Sequence, residues 1–375
     1  MFLTLRELAF ARGRFALMGA VVALIAVLMV LLSGLSVGLV NDGVSGLQKL
    51  PVTSLAFERG VPTDSAFSRS VVDSAAVARW AERDGVTDAA PLGNTLVNAK
   101  SDRGTEIDLA LFGVQPGSFV DPDPAQGARL GSAPHEIVVS ATAIDAGLRL
   151  GDTVTLDRIG TELTVVGVLD GQHTFGHVDV GYVPLRTWQE IRAGAGPGDP
   201  VPAHAYDEIT AVALRTAPGT DLAAGDEAAG TASMTLEESF GASPGYTAET
   251  ATLGMIQVFL YAISALVVGA FFTVLVIQRK PEIAVLRAMG AATGYVLRDS
   301  LLQSAVLLVV STVVGVAAGV AAGAGLSATP MPFALDLGAV GVAALLLVAL
   351  GMVGAAVAVL RVTRVDPLTA LGGNR

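Results

Sequence analysis

The sequence predicts a membrane protein with four transmembrane α-helices in a 1+3 arrangement and an inserted extracytoplasmic α+β domain. Three observations carry this fold class. Of 375 residues, 52% are hydrophobic and only 15% charged, a balance foreign to a soluble globule. Four apolar runs, 15–40, 253–277, 301–326 and 337–360, each exceed the roughly 20 residues that cross a bilayer as a helix. None of the four contains Lys, Arg, Asp or Glu. The long stretch between the first two runs mixes strand-like and helix-like patterns, as an α+β domain does.

Residues 1–14 alternate apolar Phe2, Leu3, Leu5, Leu8 and Phe10 with charged Arg6, Glu7, Arg12 and Arg14. This is the pattern of an amphipathic interfacial segment, with a simple topology-setting basic tail as the alternative. The run 15–40 is about twice as long as the apolar stretch of a secretory signal, and no A-x-A cleavage site follows it, so it reads as an uncleaved anchor. Arginines precede it. Arg279, Lys280, Arg287 and Arg298 lie in the segment 278–300, and Arg361, Arg364 and Arg375 lie in the tail 361–375. The opposite connection, 327–336, has no basic residue. The positive-inside rule places both termini and 278–300 in the cytoplasm and 41–252 outside.

The segment 41–252 holds 13 Lys/Arg against 29 Asp/Glu, so the acidity of the chain (net −11) belongs to this domain. That excludes a nucleic-acid footprint and leaves a solvated acidic surface, or an attraction for cationic ligands. There are no cysteines, hence no disulfides and no thiolate chemistry. Strand patterns fall at 52–57, 95–99, 107–114, 137–140, 153–156, 163–169, 181–183 and 209–214, and helical patterns at 70–83, 141–148 and 185–192. The third run carries glycines at 315, 319 and 323, a small-xxx-small spacing that lets helix backbones approach closely. No ionisable residue occupies a mid-membrane position, which leaves an ion-coupled carrier without an ion site.

The three lysines, Lys49, Lys100 and Lys280, do not follow a glycine, so no P-loop is present and no catalytic site for ATP hydrolysis is expected. No Ser/His/Asp or Cys/His arrangement points to a hydrolase, and no metal centre is expected. His135, His173, His177 and His204 all fall in 41–252. The spacing of His173 and His177 would suit a metal on a helix, but Gly171 and Gly176 break the helix. They read as surface-loop histidines, with a metal or accessory haem contact as the other reading.

The loop Arg279-Lys-Pro-Glu282-Ile283-Ala-Val-Leu286-Arg287-Ala-Met-Gly290-Ala291 places apolar residues near helical spacing, with Gly290 suited to a C-cap. It resembles the R-x-x-E-I-x-x-L-R-A-x-G-A signature of the FtsX/MacB-type (type VII) ABC transporter permeases. The ending Arg361-Val-Thr-Arg364-Val-Asp366-Pro367-Leu-Thr-Ala370-Leu371 is similar to the family's R-x-x-R-x-D-P-x-x-A-L. So are Val138-Val139-Ser140, Gly147-Leu148, Gly151-Asp152-Thr-Val154 and Val165-Val166-Gly167-Val168, in the same order. The resemblance implies a homodimer working with two copies of a separate ABC ATPase that binds ATP-Mg. It implies that 279–291 is the coupling segment, with Glu282 and Arg287 as polar contacts, Ile283 and Leu286 as apolar knobs and Gly290 ending the helix. The compact size and short N-terminal arm look most like the haem-exporter (HrtB-like) branch. Haem would then be the transported ligand, with no intrinsic cofactor. Met29, Tyr246, Glu249, Met255 and Tyr261 would be its candidate contacts, because haem needs an axial donor and an apolar slot. Glu249 could instead simply favour a helix N-terminus, and the tyrosines an interfacial belt. Export of a lipid, peptide or antibiotic, or signal transmission to a cell-wall hydrolase without transport, are the alternatives within the family. Membrane lipid is the remaining expected partner, and no nucleic acid is expected.

The double variant Glu282→Ala/Leu286→Glu is expected to abolish co-purification of the ATPase and its stimulated hydrolysis. Unchanged assembly would exclude this loop as the docking element.

Overall fold

The computed structural model describes residues 12–131, 133–278, 293–329 and 331–363. Segment 1–11, the tail from 364, and Glu282, Ile283, Leu286, Arg287 and Gly290 of the proposed coupling loop lie outside the described residues. Apart from one-turn pieces, the helices in chain order are α1 (Arg12–Gln48), α2 (Ala75–Ala81), α3 (Ala141–Asp145), α4 (Leu185–Arg192), α5 (Leu222–Ala229), α6 (Tyr246–Gln278), α7 (Thr293–Leu326) and α8 (Leu337–Thr363). Four of them, α1, α6, α7 and α8, are long and apolar enough to cross a membrane, over Phe15–Gln48, Tyr246–Val274, Ser300–Leu326 and Leu337–Val357. Two compact units result: Met1–Gly38 with Ala251–Arg375, and Leu39–Thr250.

In the helical unit, Phe15, Met18 and Val22 of α1 pack with Val268 and Phe272 of α6, Leu307 and Leu308 of α7, and Ala355 of α8. Other faces of the same helices are apolar yet exposed, including Leu17, Leu24, Val258, Phe259, Leu266, Val313 and Leu345. A helix apolar all round, with one face packed and the other bare, is built for a lipid solvent. The glycine spacing of α7 has a direct packing consequence. A Cβ at Gly315 would lie 2.3 Å from the Ala23 carbonyl oxygen of α1, and one at Gly319 would lie 2.8 Å from Val30. Small residues thus let α7 and α1 touch backbone to side chain, as the spacing predicts.

Among the described residues the inserted unit has thirteen strands: β1 (Ser54–Glu58), β2 (Val72–Asp73), β3 (Val86–Ser101), β4 (Glu106–Val114), β5 (Gln126–Gly127), β6 (Glu136–Val139), β7 (Thr153–Leu156), β8 (Glu162–Val168), β9 (Thr174–Phe175), β10 (Val178–Pro184), β11 (Glu208–Ile209), β12 (Ala211–Thr216) and β13 (Thr231–Thr235). The main sheet runs β13-β1-β12-β3-β4-β10-β6-β8-β5, and β7 pairs with both β3 and β8. Because β7 joins those two, strands β3, β4, β10, β6, β8 and β7 close into a ring. The pairs β4/β10 and β6/β8 are parallel. β4 shows why its sequence is a nearly continuous apolar run. Leu109 and Leu111 face one core with Ile137, Val154, Leu163 and Trp188, while Ala110, Phe112 and Val114 face another with Leu47, Phe57, Phe175 and Tyr182. A strand buried on both faces cannot alternate.

β3 is far longer than the 95–99 pattern suggests. Its first half carries Asp88 and Pro91, which disfavour strands, but pairs with β12, Pro91 opposite Val212, with a register irregularity between Arg215 and Thr216. Tertiary pairing overrides the local preference here. The 70–83 helical pattern likewise resolves into β2 followed by α2, because Val72 pairs with Ile209. β13 and α5 had no counterpart in the sequence patterns. α1 continues to Gln48, past the end of the apolar run, because Val44 and Leu47 are fully buried in the inserted core.

Gly93 and Gly113 stand opposite each other in the β3/β4 register. A Cβ would come within 2.2 Å of the Trp188 ring at the first and 2.5 Å at the second, so the glycine pair forms a shelf for the buried indole. Gly113→Val is expected to lower unfolding stability by about 1–3 kcal/mol through overpacking. Thermal unfolding of the full chain checks this; an unchanged melting temperature would show that the indole repacks freely.

Candidate functional site

Between α1, α6 and α8 of the helical unit lies a groove of about 430 Å³. Met29, Leu32, Ser33, Ser36 and Val37 line it from α1, with Gln257, Leu260 and Tyr261 from α6 and Ala339, Val342, Ala343 and Leu346 from α8. The positions follow helical spacing: 29, 33 and 36 on one face of α1, and 257, 260 and 261 on one face of α6. Alanines on α8 leave the room that larger side chains would fill. No carboxylate or basic side chain lines the groove among the described residues. Its walls are aliphatic, with a thioether, a phenol, an amide and two hydroxyls as the polar groups. Such a slot suits a flat or elongated apolar molecule that offers a soft acceptor centre or a few hydrogen-bonding groups.

Of the five candidate contacts, the fold brings Met29 and Tyr261 together in this groove. Met29 is only 5% exposed and packs with Ile25, Ala26 and Leu347, with Tyr261 at the edge of the same cluster. Met255 is 56% exposed on α6 and does not line the groove. Tyr246 and Glu249 belong to the inserted unit. Tyr246 stacks edge-on against Phe240, with ring centroids 6.2 Å apart. Glu249 lies in the first turn of α6, and its Oε2 sits 3.2 Å from His177 Nε2. Ser33, Ser36 and Gln257 escaped the sequence reading. The signal for them was available: they are polar residues inside spanning runs, where an uncharged hydrogen-bonding side chain is itself informative.

The histidines separate in the fold. No group of three or more His, Cys, Asp or Glu residues fit to hold a metal exists among the described residues. His173 and His177 flank the short β9, so they do not share a helix face. His173 lines a cleft of about 410 Å³ in the inserted unit with Lys49, Asp121 and Tyr182. Lys49 Nζ donates to the carbonyl oxygens of Asp170 (3.2 Å) and Gln172 (2.9 Å). Burial, and then the Lys49 ammonium, push the His173 imidazole down to about 4. It is therefore neutral at physiological pH. His177 is instead engaged with two carboxylates, Asp42 and Glu249.

Residues 254–367 match the FtsX-like permease C-terminal family model. The chain is 22% identical over 368 residues to a Staphylococcus haemolyticus protein that carries the name hemin transport system permease protein HrtB, covering 98% of each chain. A Staphylococcus epidermidis protein of the same name is 22% identical over 376 residues, 99% of each. Among solved structures, the extracellular domain of the ABC-type transporter YknZ matches at TM-score 0.34 and 15% identity, covering 49% of this chain and 98% of that one. The periplasmic region of MacB from Actinobacillus actinomycetemcomitans matches at TM-score 0.37 and 14% identity, covering 51% and 92%.

An unfolded histidine titrates near 6.5. Between that value and about 4, the unfolded chain takes up a proton that folded His173 excludes. The stability this provides is complete above 6.5 and is lost as pH falls towards 4. His173→Gln is expected to lose less melting temperature than the parent chain between about pH 7 and pH 4.5. Identical pH profiles would refute the buried neutral imidazole.

Proposed function

We propose that this chain, an FtsX/MacB-type ABC transporter permease carrying an FtsX-like domain, exports haem or a closely similar flat amphipathic molecule. The observation that supports this best is the groove beside Met29 and Tyr261, largely apolar, lined by no carboxylate or basic group among the described residues, and about 430 Å³ in volume. The thioether of Met29 and the phenol of Tyr261 are donors of the kind that ligate haem iron, and the surrounding leucine, valine and alanine side chains would hold the porphyrin faces. Glu249, Met255 and Tyr246 do not line this groove; they are proposed as further cargo contacts in their own right, with Glu249 as the carboxylate. The names borne by the two staphylococcal relatives point to the same cargo.

In this reading the chain performs no covalent chemistry. ATP-Mg is bound and hydrolysed by a separate ATPase, two copies of which serve a homodimer of this permease. Closure of the ATPase pair is passed through the 279–291 loop, by Glu282, Ile283, Leu286, Arg287 and Gly290, into the helices. The termini lie in the cytoplasm and the inserted unit outside, so a squeeze on the groove expels cargo outward from the membrane.

Haemin titrated into the purified chain in lipid nanodiscs is expected to give a saturable Soret shift. Met29→Ala should weaken it by about tenfold or more, and Ala343→Trp, which fills the groove from α8, should remove it. An unaltered Soret titration in Ala343→Trp would exclude the groove as the cargo site.

A further inference from the structure

His177 occupies the turn between β9 and β10 with φ of +65°, a left-handed conformation that side chains with a Cβ rarely adopt. Its surroundings hold it there. The preceding Gly176 N–H donates to the Gly43 carbonyl oxygen of α1 (2.8 Å), which also accepts from Ser243 Oγ (3.1 Å). The ring lies so close to the bare Gly43 that a Cβ there would be 3.7 Å from His177 Cε1. From this position Nδ1 is 2.9 Å from Asp42 Oδ2, and Nε2 is 3.2 Å from Glu249 Oε2. The other oxygen of Asp42 accepts from Gln172 Nε2 at 3.0 Å. Gln172, Asp42, His177 and Glu249 therefore form a continuous polar chain. It links the end of α1 to the first turn of α6, and it ends on a single oxygen of Glu249.

We propose that His177 is the positioning residue for the Glu249 carboxylate. It holds Oε2 and leaves Oε1 to meet the cargo, while Asp42 and Gln172 fix the plane of the ring. This rests on the reading of Glu249 as a cargo contact. A free glutamate side chain must be ordered when it binds; one already tied through Oε2 binds with that cost removed. Carboxylate–imidazole pairs behind a ligand commonly change affinity by about 10–100-fold without touching the ligand. The strained turn fits this role, because such backbone conformations persist where surrounding contacts over-determine them. The same strain explains why the spacing of His173 and His177 is not that of a metal pair: the turn directs His177 towards α1 and α6.

Two substitutions separate positioning from simple support. Asn at 177 tolerates the left-handed backbone and can reach Asp42 in place of Nδ1, but is too short for Glu249. Gln can reach Glu249 in place of Nε2. In haemin titrations of the full chain in nanodiscs, His177→Asn is expected to weaken binding about tenfold, and His177→Gln to retain most of it. In a Glu249→Ala background, His177→Asn should cause no further loss. Equal losses from Asn and Gln, or a loss from Asn that adds to that of Glu249→Ala, would overturn the proposal. The pairing itself is read without haemin, from a melting-temperature cycle of His177→Asn and Glu249→Gln. Coupled losses are expected, and strictly additive ones would overturn the contact whatever haemin does. If Glu249→Ala leaves haemin binding unchanged while the cycle shows coupling, the cargo reading of Glu249 fails and the positioning role fails with it.

Discussion

The burial of α1 is the constraint on which both units depend. Its residues Phe15, Met18, Val22, Ala26, Met29 and Ser33 recur at intervals of three and four and are buried in the helical unit. Further along the same helix, Val44 and Leu47 are fully buried in the core of the inserted unit. One helix thus supplies core to a lipid-facing bundle and to a water-exposed α+β fold. Its two ends obey different solvents: Leu17 and Leu24 are exposed because lipid tolerates them, whereas Asn41 and Asp42 sit where polar partners are available. Breaking this helix would remove core residues from both units.

Close approach elsewhere gives the groove its shape. Gly315 and Gly319 let α7 sit directly on α1, and Gly354 of α8 lies against the Ala265 carbonyl and Gly269 of α6. With those contacts made by glycine, the faces of α1, α6 and α8 around Met29, Tyr261 and Ala343 are left to enclose a slot. Lipid offers no hydrophobic driving force between helices, so packing of this kind, not burial of oily surface, decides where the bundle is tight and where it is open.

The candidate site was legible in part. Met29 and Tyr261 were readable because a thioether and a phenol in spanning runs are chemically distinctive. Their neighbours Ser33, Ser36 and Gln257 were equally polar for their setting but carry no charge to draw the eye. Met255 sits six positions from Tyr261 on α6, a separation that places it on another face and leaves it exposed. The engagement of His177 was not legible. Its partners are 135 and 72 residues away in the chain, at Asp42 and Glu249, and no local pattern encodes contacts of that range.

Hydropathy and charge placement together determined the class: four candidate spans and one large insertion. These properties are local sums over the chain, and the bilayer forces every backbone polar group in a span to be satisfied within its own helix. The tertiary structure alone decided which residues share a wall of the groove and where β7 closes the ring of strands. It alone decided that a histidine in a glycine-broken turn would stand between two carboxylates. Each depends on long-range packing and on backbone conformations that local sequence disfavours, as the left-handed φ of His177 and the Asp- and Pro-bearing first half of β3 both show.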